Sequence, residues 1–256
     1  MDPHATWFDF IPRYQGFKET LQPSLSRTWV WQVFQTTNFD LVHVMSALVV
    51  LVFLAYGALR YAKAVGGSGD AGLVPPPKFG LRNLFEVLAD TVLGLMAGVM
   101  GEKGAKRYLP LVGTLFFFIL FSNLLGLIPG FLPPTDTLKT NLALSVSVFL
   151  LSHVFGVREH GPKYFKHFLG PIWWLIPLML PIELISHIAR PVSLSMRLLG
   201  NIVGDHKLVL VFFGILPFLL PVPFMIMGVL VCVVQAVVFS LLTTVYISQA
   251  VAHEEH

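Results

Sequence analysis

Charge is scarce in this sequence. Only 12% of its 256 residues are Asp, Glu, Lys or Arg, about half the share carried by a soluble domain. Hydrophobic residues make up 55% and the mean hydropathy is +0.74, so the chain cannot cover a water-facing surface. That excludes a soluble enzyme and a disordered segment. Cysteine is nearly absent too. The lone Cys232 can pair with nothing in its own chain, which excludes a disulfide scaffold. Glycine and proline follow no collagen-like period. A basic patch is also missing: the net charge of +3 comes from seventeen Lys and Arg spread in small groups between apolar runs, which speaks against a nucleic-acid partner.

What the sequence has instead is a series of long hydrophobic runs, which make it an all-α integral membrane protein. Residues 1–38 alternate aromatic, charged and Pro residues without a continuous apolar core, and are expected to form a short segment outside the membrane. Residues 41–59, LVHVMSALVVLVFLAYGAL, carry one His and reach about 30 Å as a helix, enough for crossing one. The loop 60–79 contains Gly66, Gly67, Gly69, Gly72 and Pro75 to Pro77, which neither helix nor strand tolerates. In 80–101, Arg82, Glu86 and Asp90 leave one polar and one apolar face. That pattern predicts an amphipathic helix lying at the interface, with a lone crossing as the alternative.

Crossings two and three are predicted at 108–128 and 142–157, joined by a Pro-rich loop at 129–141. A loop at 158–167 leads to a long apolar stretch at 168–213 that carries several charges, and a last apolar segment covers 216–250 before the tail 251–256. Both long segments exceed a vertical span, so they are expected to form a strongly tilted hairpin. The whole chain then makes one membrane domain of five crossings. Basic residues cluster after crossing one (Arg60, Lys63, Lys78, Arg82), before crossing two (Lys103, Lys106, Arg107) and after crossing three (Arg158, Lys163, Lys166), against Lys139 alone on the opposite side. The positive-inside rule therefore puts the amino terminus outside and the carboxyl terminus in the cytoplasm. Arg13, Lys18 and Arg27 of the amino-terminal segment run against it.

The chemistry sits in 168–213. At 100° per residue, Glu183, His187, Arg190, Arg197, Asn201 and Asp205 fall at about 0°, 40°, −20°, −40°, 0° and 40°, an arc of about 80°. The stripe is about 33 Å long, nearly the thickness of the hydrocarbon. Each charge in it costs at least a few kcal/mol at bilayer centre, so a continuous stripe suits proton or cation movement. His206 falls on another face, and Pro191 is a place for a kink. His43 and His153 read as hydrogen-bonded packing residues, and Arg190 as a residue that snorkels or pairs locally. Arg197 is different, because Ser193 and Asn201 at i±4 cannot neutralise it. Its counter-charge is expected from another helix or another subunit.

The run Arg190-Pro-Val-Ser-Leu-Ser-Met-Arg197-Leu-Leu-Gly-Asn201 closely resembles the signature of subunit a of F-type ATP synthases, and the resemblance covers nearly the whole chain. Ser122-Asn123-Leu124, Glu183 fourteen residues before Arg197, Val234-Gln235-Ala236, and Tyr246 before an acidic tail all support it. That family implies a stator subunit beside a rotating ring of c subunits, with the b-subunit peripheral stalk and the other synthase subunits as partners. Its home would be an energy-coupling membrane such as the bacterial plasma membrane. Two offset aqueous half-channels would carry protons to and from one carboxylate per c subunit, without a metal or cofactor and without ATP chemistry in this chain.

By that resemblance, Arg197 is the essential arginine facing the ring carboxylate, and Gln235 and Tyr246 are polar positions near it. Asn201, Glu183 and His206 match half-channel positions, and Asn123 matches a position near the outside path; His187 and Asp205 join the pathway from the stripe. Two departures stand out. Many bacterial members carry Glu at the position of His206 and His at that of Gly228, while others have the two swapped, and only the His206 half of that swapped pair is present. An acidic residue common a turn after Asn123 is Gly126 in this chain, leaving Asp136 and Asp205 as candidate outside carboxylates. Two other classes fit less well. A proton-coupled secondary transporter usually shows internal repeats, and none is visible; an intramembrane hydrolase would need more than the two ligands of Glu183-His187.

Overall fold

The computed structural model describes residues 6–10, 14–25, 41–66, 80–128, 130–161, 164, 176–215 and 221–252, and among the site residues named above every side chain except that of His206. The expectations for most of the amino-terminal segment, for the Gly/Pro loop at 67–79, for 162–163 and 165–175, for 216–220 and for the tail 253–256 lie outside the described residues. Among those described there is no strand. After a 3-10 turn at Trp7–Phe10, the helices are α1 (Tyr14–Leu25), α2 (Leu41–Gly66), α3 (Leu81–Gly126), α4 (Leu138–His160), α5 (Ile176–Ile215) and α6 (Pro221–Val251), with a second 3-10 turn at Pro134–Asp136 before α4.

The apolar runs become helices because a lipid environment offers the backbone no other hydrogen-bond partner. Among the described residues, four of them are long and apolar enough to cross a membrane: Leu41–Lys63, Leu81–Gly126, Leu138–His160 and Pro223–Val251. The chain is a multi-pass membrane protein. α5 is longer than most of these but holds the charged stripe, and it continues through Pro181 and Pro191 without a break. α2 and α4 run past the expected ends of crossings one and three, taking in Lys63 and Arg158.

α3 differs most from expectation. It contains both the segment expected at the interface and crossing two, and the two are joined at Gly101, whose φ of 72° and ψ of 165° are not helical. That region of backbone space is essentially reserved for glycine. A straight helix would hold Phe85 and Phe117 about 48 Å apart, yet their ring centroids are 5.1 Å apart, and Phe85 also stacks on Phe121 at 5.9 Å. The helix therefore doubles back at Gly101 into two antiparallel arms, 81–100 and 102–126. The aromatic rings of the two arms pack along one another. α2 joins this layer. Phe53 meets Phe121 at 5.1 Å, and Gly57 lets the Phe85 ring come within 2.8 Å of where a Cβ would stand.

The core lies where the arms of α3 meet α4, α5 and α6, around Val92, Met96, Phe116, Ile119, Leu194, Leu198 and Phe239. Two ends of the molecule can be told apart. At one, Leu41 and Val42 pack with Phe8, Tyr14, Phe131 and Leu132, and the Trp7 N–H donates to the Gly130 carbonyl at 3.2 Å. At the other, Arg107 of the second arm pairs with Glu159 of α4 at 3.2 Å. The second arm and α4 are thus antiparallel.

Candidate functional site

α5 and α6 also run antiparallel, and three contacts give their register. The Arg190 guanidinium lies 5.3 Å from the Tyr246 ring centre. The Asn201 amide donates to Gln235 Oε1 at 2.5 Å. The Phe212 and Phe224 rings stack at 4.2 Å. Each step is eleven residues forward on α5 and eleven back on α6, which is three helical turns. All three contacts therefore fall on one face of each helix, and that face of α5 carries Arg190 and Asn201 of the stripe expected from the sequence.

Polar side chains cluster in three groups, two of them on α5. In the first, Glu183 Oε1 and His187 Nε2 are hydrogen-bonded at 2.9 Å, and the buried His187 ring lies 5.1 Å from that of His153 on α4. His153 Nδ1 in turn is 2.8 Å from the Phe149 carbonyl. Next to them a cavity of about 10 Å³ is lined by Ser145, Ser152, His153, Arg190 and Tyr246, among others. That is about the room of one water. The second group is Asn201 with Gln235, whose Nε2 is buried without a partner. The third is apart from α5: Thr135 donates to Asn123 Oδ1 at 2.8 Å and Asn141 donates to the Thr135 carbonyl at 2.8 Å. Asn123 Nδ2, Asn141 Oδ1 and Ser122 Oγ remain buried and unpaired there. The turn carrying Thr135 and the buried Asp136 touches α2, α3, α4 and α5.

Arg197 stands between the first and second groups. It is exposed, and among the described residues it makes no hydrogen bond and no ion pair. On the same helix pair, Ile188, Val192 and Met196 of α5 and Val229, Leu230, Val233 and Val234 of α6 are all exposed. A Cβ on Gly200 or Gly204 would meet nothing within 4 Å. A permanent cation thus faces outward from a greasy, small-residue surface, where it would cost several kcal/mol without a counter-charge.

The structure brings together Glu183 with His187, Asn201 with Gln235, and Arg190 with Tyr246. It keeps Asn123 in its own network. Asp205 is half-buried near Cys232 of α6, and the side chain of His206 lies outside the described residues. Sequence reasoning took His153 as a hydrogen-bonded packing residue, and it is one, bonded to the Phe149 carbonyl and packed on Phe149 and His187. It took Arg190 as snorkelling or pairing locally, and Arg190 instead meets Tyr246 on α6. For Arg190 the angular plot already placed it on the stripe; the place of His153 beside His187, on another helix, comes from the fold alone.

A family model described as ATP synthase A chain matches residues 41–248. Among curated proteins, the chain is 50% identical over 203 residues to an ATP synthase subunit a of Syntrophotalea carbinolica, covering 79% of this chain and 82% of that one. It is 43% identical over 231 residues to the ATP synthase subunit a of Bdellovibrio bacteriovorus, covering 90% of this chain and 100% of the relative. With that of Geobacter sulfurreducens it shares 51% identity over 177 residues, 69% of this chain and 76% of the relative.

Proposed function

The chain belongs to the ATP synthase A chain family, and from that premise we propose how this proton-translocating subunit of the F-type complex performs its task. Arg197 faces the carboxylate of a neighbouring ring of c subunits. The observation that carries this is its position, exposed and unpartnered amid apolar residues on the α5–α6 face. A guanidinium cannot be deprotonated in a protein, so it stabilises the ionised ring carboxylate and bars a proton from passing directly across. Protons ride the ring instead. Each one crossing the full potential gains about 2.3 kcal/mol per 100 mV.

Two half-channels, on opposite sides of Arg197, would load and unload the ring. One runs through Glu183, His187, Arg190 and Tyr246. The other runs through Asn123, Asp205 and His206, with Asp136 as the carboxylate replacing the one absent at Gly126; Asn201 and Gln235 lie between. Buried unpaired atoms on Asn123, Asn141, Ser122 and Gln235 support a wet path, since such atoms are normally satisfied by water. The crossings are α2, the second arm of α3, α4 and the tilted pair α5 and α6, with the Arg107 end and the carboxyl terminus in the cytoplasm and the b-subunit stalk as a further partner.

Reconstituted vesicles test the reading. Arg197→Ala abolishes ATP synthesis and ATP-driven pumping while the complex still assembles, because removal of an unpaired charge does not weaken the fold. Arg197→Lys fails as well, since an ammonium can lose its proton in an apolar site. Synthesis by the Lys variant at near the wild-type rate would show that a permanent charge is not what the position supplies.

A further inference from the structure

Away from the polar face of α5, a cavity of about 290 Å³ opens between the start of the second arm of α3 and the end of α4. Its size is at the lower limit of small-molecule sites, roughly 300–1,000 Å³. Arg107, Tyr108, Pro110, Leu111, Phe155, Arg158 and Glu159 line it. The two arginines come from different helices. Arg107 is held in place by Glu159 at 3.2 Å and by the Tyr108 ring, 5.5 Å from its guanidinium carbon. Tyr108 in turn packs on Phe155 at 4.9 Å. Arg158 is exposed and makes no hydrogen bond or ion pair among the described residues.

The polarity of the walls has a direction. The guanidinium groups stand at the helix ends, and Lys103 adds charge one turn before Arg107 on the same face. Pro110, Leu111 and Phe155 lie further in, where neither helix carries Asp, Glu, Lys or Arg until its far end. A free anion would use the mouth and leave that floor empty. An amphiphile uses both, with its phosphate between the arginines and its glycerol and acyl chains along the greasy wall. Basic pockets between membrane helices are suited to such headgroups.

We propose that this cavity is a binding site for the headgroup of an anionic phospholipid. The site is separate from Arg197 and its half-channels, so its failure leaves the proton path untouched. Native mass spectrometry of the full chain in detergent, and of the assembled complex, tests it with three probes: phosphatidylglycerol, phosphatidylcholine and inorganic phosphate. The wild-type chain retains phosphatidylglycerol in preference to phosphatidylcholine, in both preparations, and millimolar phosphate does not displace it. Arg158→Gln removes a side chain bonded to nothing within the described fold, and lowers retention about fivefold; the Arg107→Ala/Arg158→Ala pair lowers it about thirtyfold.

Several results would overturn the proposal. Unchanged retention in Arg158→Gln, or equal binding of the two lipids, would mean the arginines recognise no headgroup. Displacement by phosphate would make the site one for a free anion. Loss of lipid on assembly of the complex would make it a contact between subunits.

Discussion

The hydrogen bond between Asn201 and Gln235 separates packing from function more cleanly than any other contact. Gln235 is 3% exposed, its Nε2 already lacks a partner, and its Oε1 depends on Asn201 alone among the described residues. Asn201→Leu would therefore leave both polar atoms of a buried amide unsatisfied, at about 1–3 kcal/mol. Gln235→Leu should be milder. It removes the unpaired Nε2 together with the acceptor, and Asn201 is exposed, so the loss is nearer the ~0.6 kcal/mol typical of a polar contact between membrane helices. With both changed, no buried orphan remains, and stability returns close to wild type. The coupling, which equals the sum of the two single losses, should be about 1.6–3.6 kcal/mol. Denaturation of the purified chain in mixed micelles measures the four stabilities, and ATP synthesis in vesicles measures function. The double variant is expected to be stable and inactive, because the polar group beside Arg197 is gone. Additive stabilities, or Gln235→Leu as the worse single change, would refute the burial argument; full activity of the double variant would refute the functional one.

Gly101→Ala should destabilise the chain by about 1–3 kcal/mol, because φ 72° with ψ 165° is open essentially to glycine alone. An unchanged melting temperature would mean the arms do not fold back there. For orientation, single cysteines in place of the exposed Lys103 and Lys139 should label from opposite sides of sealed vesicles, and labelling of both from one side would rule out the second arm of α3 as a crossing. Thiol reagents in water should reach Asn201→Cys and Asp205→Cys but spare Leu194→Cys, which sits in the core; equal protection of all three would make the polar face a dry network.

Element lengths and the polar stripe were legible in the sequence because both depend on a local quantity, hydrophobic run length in one case and helical phase in the other. The fold-back at Gly101 was not. Gly94, Gly98, Gly101 and Gly104 are equivalent on the page, and which of them turns is decided by Phe85 meeting Phe117 and Phe121, a contact across more than thirty residues. The same holds for the site. Asn201 and Gln235 could each be singled out, but their pairing needs the register of two antiparallel helices, and that register depends on where the chain turns between them. His153 could likewise be named as a packing residue, but its place beside His187 depends on the packing of two helices and not on anything in its own run.

Arg197 is the informative exception. Its lack of an opposite charge at i±4 was a local statement, and it could have been cancelled by any acidic residue brought in from another helix. Folding brings none among the described residues. The nearby polar groups are already engaged with one another: Glu183 with His187, and Asn201 with Gln235. A cation left uncompensated after folding, on a face with room at Gly200 and Gly204, calls for its counter-charge from outside the chain, and the ring carboxylate proposed above would meet that demand without ever pairing with it permanently.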